Sequence, residues 1–130
     1  MKFRMKEDAM TVNLTYGDLD ISGDETKGFR PFQLMMASIV GCSGSVFRKI
    51  LEKQRTELED LQISSTVERN ALQANRIEKI TLHYIIKGYH LDPEKINRNL
   101  ELSRKNCSMI QSVQDTIQIE ETVELIELSS

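Results

Sequence analysis

A long apolar segment that opens at Pro31 constrains the fold of this chain more than any other feature. Pro31 suits the first turn of a helix, where its missing N–H is not needed. Apolar residues then recur at helical spacing: Leu34, Met35, Met36, Ile39, Val40, Val46, Phe47, Ile50 and Leu51. One small sheet covers only one side of a helix, yet the first half of this one is apolar almost all round. The segment therefore predicts a buried central helix that a second subunit helps to cover, in a homodimer.

Strand-like alternation flanks this helix on both sides. Residues 10–22 predict a β-hairpin, with Leu14 and Tyr16 in its first strand and the turn at Gly17-Asp18. After the helix, two further alternating stretches are joined through residues 70–75 and should be antiparallel neighbours. Both pairs of strands are typical of an antiparallel arrangement.

The C-terminal part of the chain predicts two more helices and a strand. Asp92, Pro93 and Glu94 supply an N-cap, a first-position proline and a first-turn acid. A short second helix is expected to start at Cys107, and a final strand to run over residues 116–128. The order ββ–α–ββ–α–α–β is not the βαβ alternation of a doubly wound sheet, so the predicted fold class is α+β with mostly antiparallel sheets.

Composition narrows the class of protein. At 130 residues, with 39% hydrophobic and 28% charged residues, the chain is predicted to form one domain over residues 1–130. Its net charge of −3 offers no electrostatic basis for binding nucleic acid. Met1–Asp8 has no apolar core of a signal peptide, and we expect no run that approaches the roughly 18 apolar residues of a membrane span. A cytoplasmic protein without a membrane partner is the resulting expectation.

Two cysteines, Cys42 and Cys107, are the candidates for chemistry. In a reducing compartment they are expected to be thiols, with any bridge between them transient. Cys107 is well placed for a thiolate if a helix begins there, whereas Cys42 lies inside its helix and would need a neighbouring cation. Free cysteine is also among the most buried residue types, so two inert core thiols are the competing interpretation.

Other constellations carry weaker signals. His83 and His90 are expected to be satisfied or exposed side chains, and no spacing typical of a metal or cofactor site occurs. Met109, like the methionines of the long helix, is typical of core packing. The acid-rich stretch over residues 120–127 is interpreted as a solvated strand face. No cofactor is expected.

Two motifs together resemble the signature of the OsmC/Ohr family. Residues 28–43 read GFRPFQLMMASIVGCS, where Pro31 opens the helix and Cys42 follows eleven residues later. Residues 106–113 read NCSMIQSV, so that Cys107 opens a short helix after a polar helix end. The order of elements agrees from Met10 onward, and the resemblance therefore covers nearly the whole chain.

This resemblance implies a fold, an assembly and an activity. OsmC/Ohr-like proteins are intertwined homodimers in which mostly antiparallel sheets wrap a long central helix from each subunit. The family activity would be the reduction of organic hydroperoxides. Cys42 would attack the O–O bond and become a sulfenic acid, Cys107 would resolve it as a disulfide, and a thiol or dithiol reductant would restore both thiols.

The sequence departs from the Ohr pattern beside the proline. In the Ohr branch a glutamate follows the proline and, with an arginine, arranges the reactive thiol, but here Phe32 and then Gln33 occupy these positions. Arg30 is the candidate for the activating cation, with Arg4 as the second choice, and an exposed loop arginine is the alternative for Arg30.

A non-catalytic module of the same fold is the second hypothesis. Its pocket at the dimer interface would hold a small apolar molecule against Phe32, Met35, Met36 and Ile39, which in the enzyme would bind the substrate. Phe32 in place of an acid favours this binding module. The presence of both cysteines within their motifs favours the enzyme.

Overall fold

The computed structural model describes residues 1–129, which form six strands and three helices. The predicted order of elements is confirmed, with one additional strand at the N-terminus, and so is the α+β class. In chain order the elements are β1 (Phe3–Lys6), β2 (Ala9–Asn13), β3 (Asp18–Ile21), α1 (Pro31–Lys53), β4 (Glu57–Asn70), β5 (Arg76–Tyr89), α2 (Pro93–Asn106), α3 (Ser108–Val113) and β6 (Gln118–Glu127).

The chain divides into two compact units, of which the first is Met1–Ala37. It contains the antiparallel sheet β1-β2-β3, so the predicted hairpin is confirmed. Its turn was placed wrongly, because β2 already ends at Asn13, whose side chain donates to Asp18 Oδ1 at 2.5 Å. Leu14 and Tyr16 consequently lie in the turn, and Tyr16 is exposed.

The second unit begins at Ser38 and contains the sheet β4-β5-β6. β4 and β5 are antiparallel, as predicted, whereas β6 returns after two helices and pairs with β5 in parallel. A parallel neighbour requires a long crossover connection, which α2 and α3 supply. One face of β5 forms the centre of the core, where four side chains are fully buried: Ile80, Leu82, Tyr84 and Ile86.

The helix α1 begins at Pro31 as predicted and ends at Lys53. The helix does not extend further, since Arg55 adopts a left-handed backbone with φ 56° that cannot continue a helix. In the second unit Phe47 is fully buried and meets the Tyr84 ring edge-on, with the two centroids 5.7 Å apart. Edge-to-face contact is a favoured geometry for aromatic pairs and fixes α1 over β5.

By length and composition α1 is also apolar enough to cross a membrane. The expectation that no such run exists was therefore wrong, because the aliphatic and methionine side chains keep the mean hydropathy of the helix high although glycines and serines interrupt them. Core helices have the same composition, and Phe47 and Leu51 of α1 are fully buried within the protein.

Local signals set the bounds of α2 and α3. The Asp92 side chain accepts hydrogen bonds from the N–H groups of Glu94 and Lys95, so the predicted N-cap is confirmed. Cys107 has an extended backbone, with φ −86° and ψ 106°, which ends α2 and makes this residue the N-cap of α3. The turn between the two helices therefore consists of the cysteine itself.

Candidate active site

Cys42 lies in the middle of α1 and is half-buried. Its Sγ is 3.7 Å from Ser108 Oγ, at the start of α3. Its neighbour Ser43 is fully buried, which fixes the rotation of this part of the helix. The sulfur is thus directed toward the start of α3 while part of the side chain reaches solvent.

Cys107 is fully buried at the turn between α2 and α3. Its N–H donates to Arg104 O at 3.4 Å, and its carbonyl accepts from Gln111 N at 3.0 Å. The Cys107 and Cys42 thiols lie close enough to shift each other's pKa, and both cysteines are free thiols. The structure therefore brings together two cysteines that the sequence alone could not place near one another.

The surroundings of Cys42 favour its thiolate. The backbone N–H of Met109 is the largest influence and lowers the pKa of the Cys42 thiol below its ordinary value. Burial opposes this shift, while the Cys107 thiol and the hydroxyl and N–H of Ser108 add to it. The largest of these influences are hydrogen bonds and burial. Hydrogen-bond donors thus stabilise the thiolate.

Cys107 has the opposite tendency. Burial raises the pKa of the Cys107 thiol above its ordinary value, and the neighbouring Cys42 raises it further. The N–H groups of Ile110 and Met109 lower it, but they do not overcome burial. The expectation that Cys107 is well placed for a thiolate was therefore wrong, because burial outweighs the amides at the start of α3.

A chain of hydrogen-bonded polar groups, in which only the Arg104 side chain is substantially exposed, at 41%, lies behind the cysteines. Ser43 Oγ is hydrogen-bonded to the hydroxyl of Tyr84, which donates to Glu121 Oε2 at 2.9 Å. Arg104 Nε donates to the other oxygen of Glu121 at 2.5 Å. The Glu121 side chain is only 1% exposed. We call Ser43, Tyr84, Glu121 and Arg104 the buried polar network.

Glu121 corrects the interpretation of residues 120–127 as a wholly solvated face. In β6 the side chains of Ile119, Glu121 and Val123 alternate onto one face, so Glu121 is on the inner side. The alternation of inward and outward side chains along β6 can be predicted from the sequence, but the run of acidic residues suggests a face that is wholly exposed. Burial is possible because Arg104 and Tyr84 satisfy both carboxylate oxygens.

The other predicted site residues are divided between the two units. In the first unit, the Arg30 guanidinium lies 4.7 Å from the centroid of the Phe32 ring, a cation–π distance. Met36 is buried and Met35 is 41% exposed. In the second unit, Ile39 is buried, one turn before Cys42.

Arg4 lies on β1 and is exposed, paired in register with Thr11. The two histidines also match their expected roles. His83 Nδ1 is 2.6 Å from Thr122 Oγ1, and exposed His90 lies 3.4 Å from Glu57. In residues 1–129 no group of three or more His, Cys, Asp or Glu side chains is arranged to hold a metal ion.

A family model described as OsmC-like protein matches residues 23–122. The chain belongs to the OsmC-like family. This OsmC-like chain is 27% identical over 106 residues to Protein YhfA of Escherichia coli (strain K12), covering 81% of this chain and 78% of YhfA. The resemblance expected from the two cysteine motifs is thereby confirmed.

Solved structures match the fold of the OsmC-like chain along nearly its whole length. A hypothetical protein from Aquifex aeolicus VF5 superposes with a TM-score of 0.87 at 22% identity, covering 98% of this chain and 96% of that one. An organic hydroperoxide resistance protein OsmC from Legionella pneumophila gives 0.75 at 21% identity, with 95% and 93% covered. At these identities the likeness establishes the fold.

Proposed function

We propose that this protein is a thiol-dependent peroxidase that reduces organic hydroperoxides through Cys42 and Cys107. The observation that carries the proposal is the neighbouring pair of thiols: Cys42 is half-buried, has a lowered pKa and lies 3.7 Å from Ser108 Oγ, and Cys107, the residue before Ser108, is buried and has a raised pKa. A thiolate that reaches solvent is the form that attacks peroxides, and a second thiol beside it can close a disulfide. The name of the Legionella pneumophila relative supports this substrate class.

The proposed cycle has three balanced steps. The Cys42 thiolate attacks the hydroperoxide O–O bond, forms a sulfenic acid and releases an alkoxide, which takes a proton to become the alcohol. The Cys107 thiol then attacks the Cys42 sulfur, a disulfide forms and water leaves. An external dithiol reduces the disulfide by two exchange steps and is itself oxidised.

Buried Cys107 suits the resolving role. A protected thiol of raised pKa stays protonated and does not compete for peroxide, yet it needs little movement to reach the neighbouring Cys42 sulfur. We assign the substrate side to Phe32, Met35, Met36 and Ile39, and the role of an accessory cation to Arg30. A cytoplasmic location would supply the reductant.

A homodimer is part of the proposal. The helix α1 borders two open grooves in the second unit, of about 520 Å³ beside Gly41, Gly44 and Arg48 and about 430 Å³ beside Val46 and Ile50. Small and apolar residues along two such grooves favour close packing of another helix. Light scattering at low micromolar concentration tests this point, since a stable monomer would contradict it.

Intact mass after one equivalent of cumene hydroperoxide tests the enzyme. We expect a loss of two hydrogens in the wild type, and a sulfenic acid or its trapped adduct in Cys107→Ser. Cys42→Ser should remain unmodified and serves as the control for unspecific oxidation. If the wild type keeps both thiols while the hydroperoxide persists, the peroxidase proposal fails.

A non-catalytic binding module is the second candidate. The stacking of Arg30 on Phe32 favours it, because this arginine then faces an aromatic ring where the Ohr pattern has an acid. For this candidate we expect a bound apolar molecule in native mass spectra and no turnover in the experiment above.

A further inference from the structure

We propose that the buried polar network, Ser43, Tyr84, Glu121 and Arg104, positions the Cys107 turn against Cys42 so that their disulfide closes rapidly. This inference deepens the proposed function and rests on it for its biological role. Its physical content, fast closure between the two sulfurs, can be measured without any peroxide.

The direction of each hydrogen bond in the network follows from the groups present. An ion-paired carboxylate only accepts, so Glu121 accepts from Arg104 Nε and from the hydroxyl of Tyr84. Tyr84 has a single proton and gives it to Glu121, so Ser43 must donate to the Tyr84 oxygen. The direction of every hydrogen bond among these four side chains is therefore fixed, and only one arrangement satisfies them all.

Both ends of the network adjoin the cysteines. Ser43 follows Cys42 in α1, and its carbonyl accepts from Ser103 Oγ of α2 at 3.4 Å. At the other end, the carbonyl of Arg104 accepts from the Cys107 N–H at 3.4 Å and from Gln111 Nε2 at 2.9 Å. The network therefore connects α1, which carries Cys42, to the turn that contains Cys107.

Burial restricts the movement of this hydrogen-bonded connection. Tyr84 is fully buried, and its high pKa, raised chiefly by burial, keeps its hydroxyl protonated as a donor. Loss of one member leaves its neighbours as buried groups without partners, which favours rearrangement of the whole set. The rearrangement would displace Ser43, which adjoins Cys42, and Arg104, whose carbonyl is hydrogen-bonded to the Cys107 N–H.

An aromatic disulfide such as 5,5′-dithiobis(2-nitrobenzoate) separates closure from the first reaction. The Cys42 thiolate attacks it, forms a mixed disulfide and releases one aryl thiolate. Cys107 then attacks the Cys42 sulfur and loses its proton to solvent, and the Cys42–Cys107 disulfide forms as the second aryl thiolate leaves. The second release, followed by absorbance, is the rate of closure.

We expect Tyr84→Phe and Glu121→Gln to slow the second release about tenfold, since a displacement of well under 1 Å already impairs an oriented reaction. The first release should change less than about twofold, because exposure and the α3 amides remain. Thr122→Val is the matched control. It removes an exposed 2.6 Å hydrogen bond between the same two strands, which joins Thr122 and His83, and should close at the wild-type rate.

Closure at the wild-type rate in both variants would overturn the inference, and so would an equal loss in the first and second releases, which indicates a general structural role. Should Tyr84→Phe fail to fold, Ser103→Ala tests the same connection through the Ser43 carbonyl. If the protein does not react with hydroperoxides but the variants still close the disulfide slowly, the proposed function is contradicted and the inference about the network stands. A wild type that never releases a second equivalent would contradict both.

Discussion

Cys42 and Cys107 are close enough to shift each other's pKa, yet their surroundings differ in almost every respect. Cys42 sits within a long helix, reaches solvent and receives donors from α3, while Cys107 caps α3 and is fully buried. The backbone N–H groups at the start of α3 thus lower the pKa of Cys42, although this cysteine belongs to a different helix. Nearness to a helix start in the sequence does not identify the thiolate.

The largest expected consequence of this contrast is a difference in alkylation. With iodoacetamide at neutral pH, Cys42 should react roughly a thousandfold faster than Cys107, which is exposed only by a local opening of about 4 kcal/mol. Peptide mass spectrometry over time measures both rates. In denaturant the two rates should converge, and comparable rates in the native protein would remove the contrast.

Next in size is the effect of the packing that buries Cys107. Ile110 is fully buried in α3, so Ile110→Ala should lower the free energy of unfolding by about 3 kcal/mol and raise the alkylation rate of Cys107. Urea titration measures the first effect. Met109→Ala, at a 36% exposed position of the same helix, is the control and should change stability by less than about 0.5 kcal/mol. Equal losses in the two variants would contradict this assignment.

The pH at which alkylation reaches half its maximal rate should be shifted in opposite directions for the two cysteines. Hydrogen bonds led by the Met109 N–H lower the pKa of Cys42, so its alkylation rate should rise with pH and reach half its maximum below the pKa of a free thiol. For Cys107 the midpoint should lie above that value, since burial raises its pKa. The lowered pKa of Cys42 also stabilises the fold above the pKa of the unfolded thiol, and this contribution disappears as pH falls through the folded pKa. A Cys42 midpoint at or above the free-thiol value would refute the contrast.

The smallest expected effect comes from Ser108. Its hydroxyl is 3.7 Å from the Cys42 sulfur, and Ser108→Ala should slow alkylation of Cys42 at neutral pH about two- to threefold, as loss of one weak hydrogen bond predicts. Ser112→Ala is the control in the same helix, since the Ser112 hydroxyl bonds to the Ser108 carbonyl and not to a cysteine. An unchanged rate in Ser108→Ala would assign the pKa shift to the amides alone.

Errors in the sequence-based expectations have a common origin. The turn of the first hairpin was misplaced because Leu14 and Tyr16 continue an alternating pattern beyond the point where Asn13 and Asp18 close the ladder. Glu121 was taken as solvated because its two partners, Tyr84 and Arg104, lie on other elements. In each case a contact with another segment decided the outcome.

The sequence by itself determined the family and every element except the N-terminal strand β1, in the right order. Proline at a helix start, an aspartate N-cap and strand alternation act over a few residues, so Pro31, Asp92 and the β4–β5 pair could be predicted. Only the tertiary structure decided that the two sulfurs meet, which of them has the lowered pKa, and that Glu121 is buried behind them. Those properties depend on distances between distant segments and on desolvation, which arise only when the helices and strands pack together.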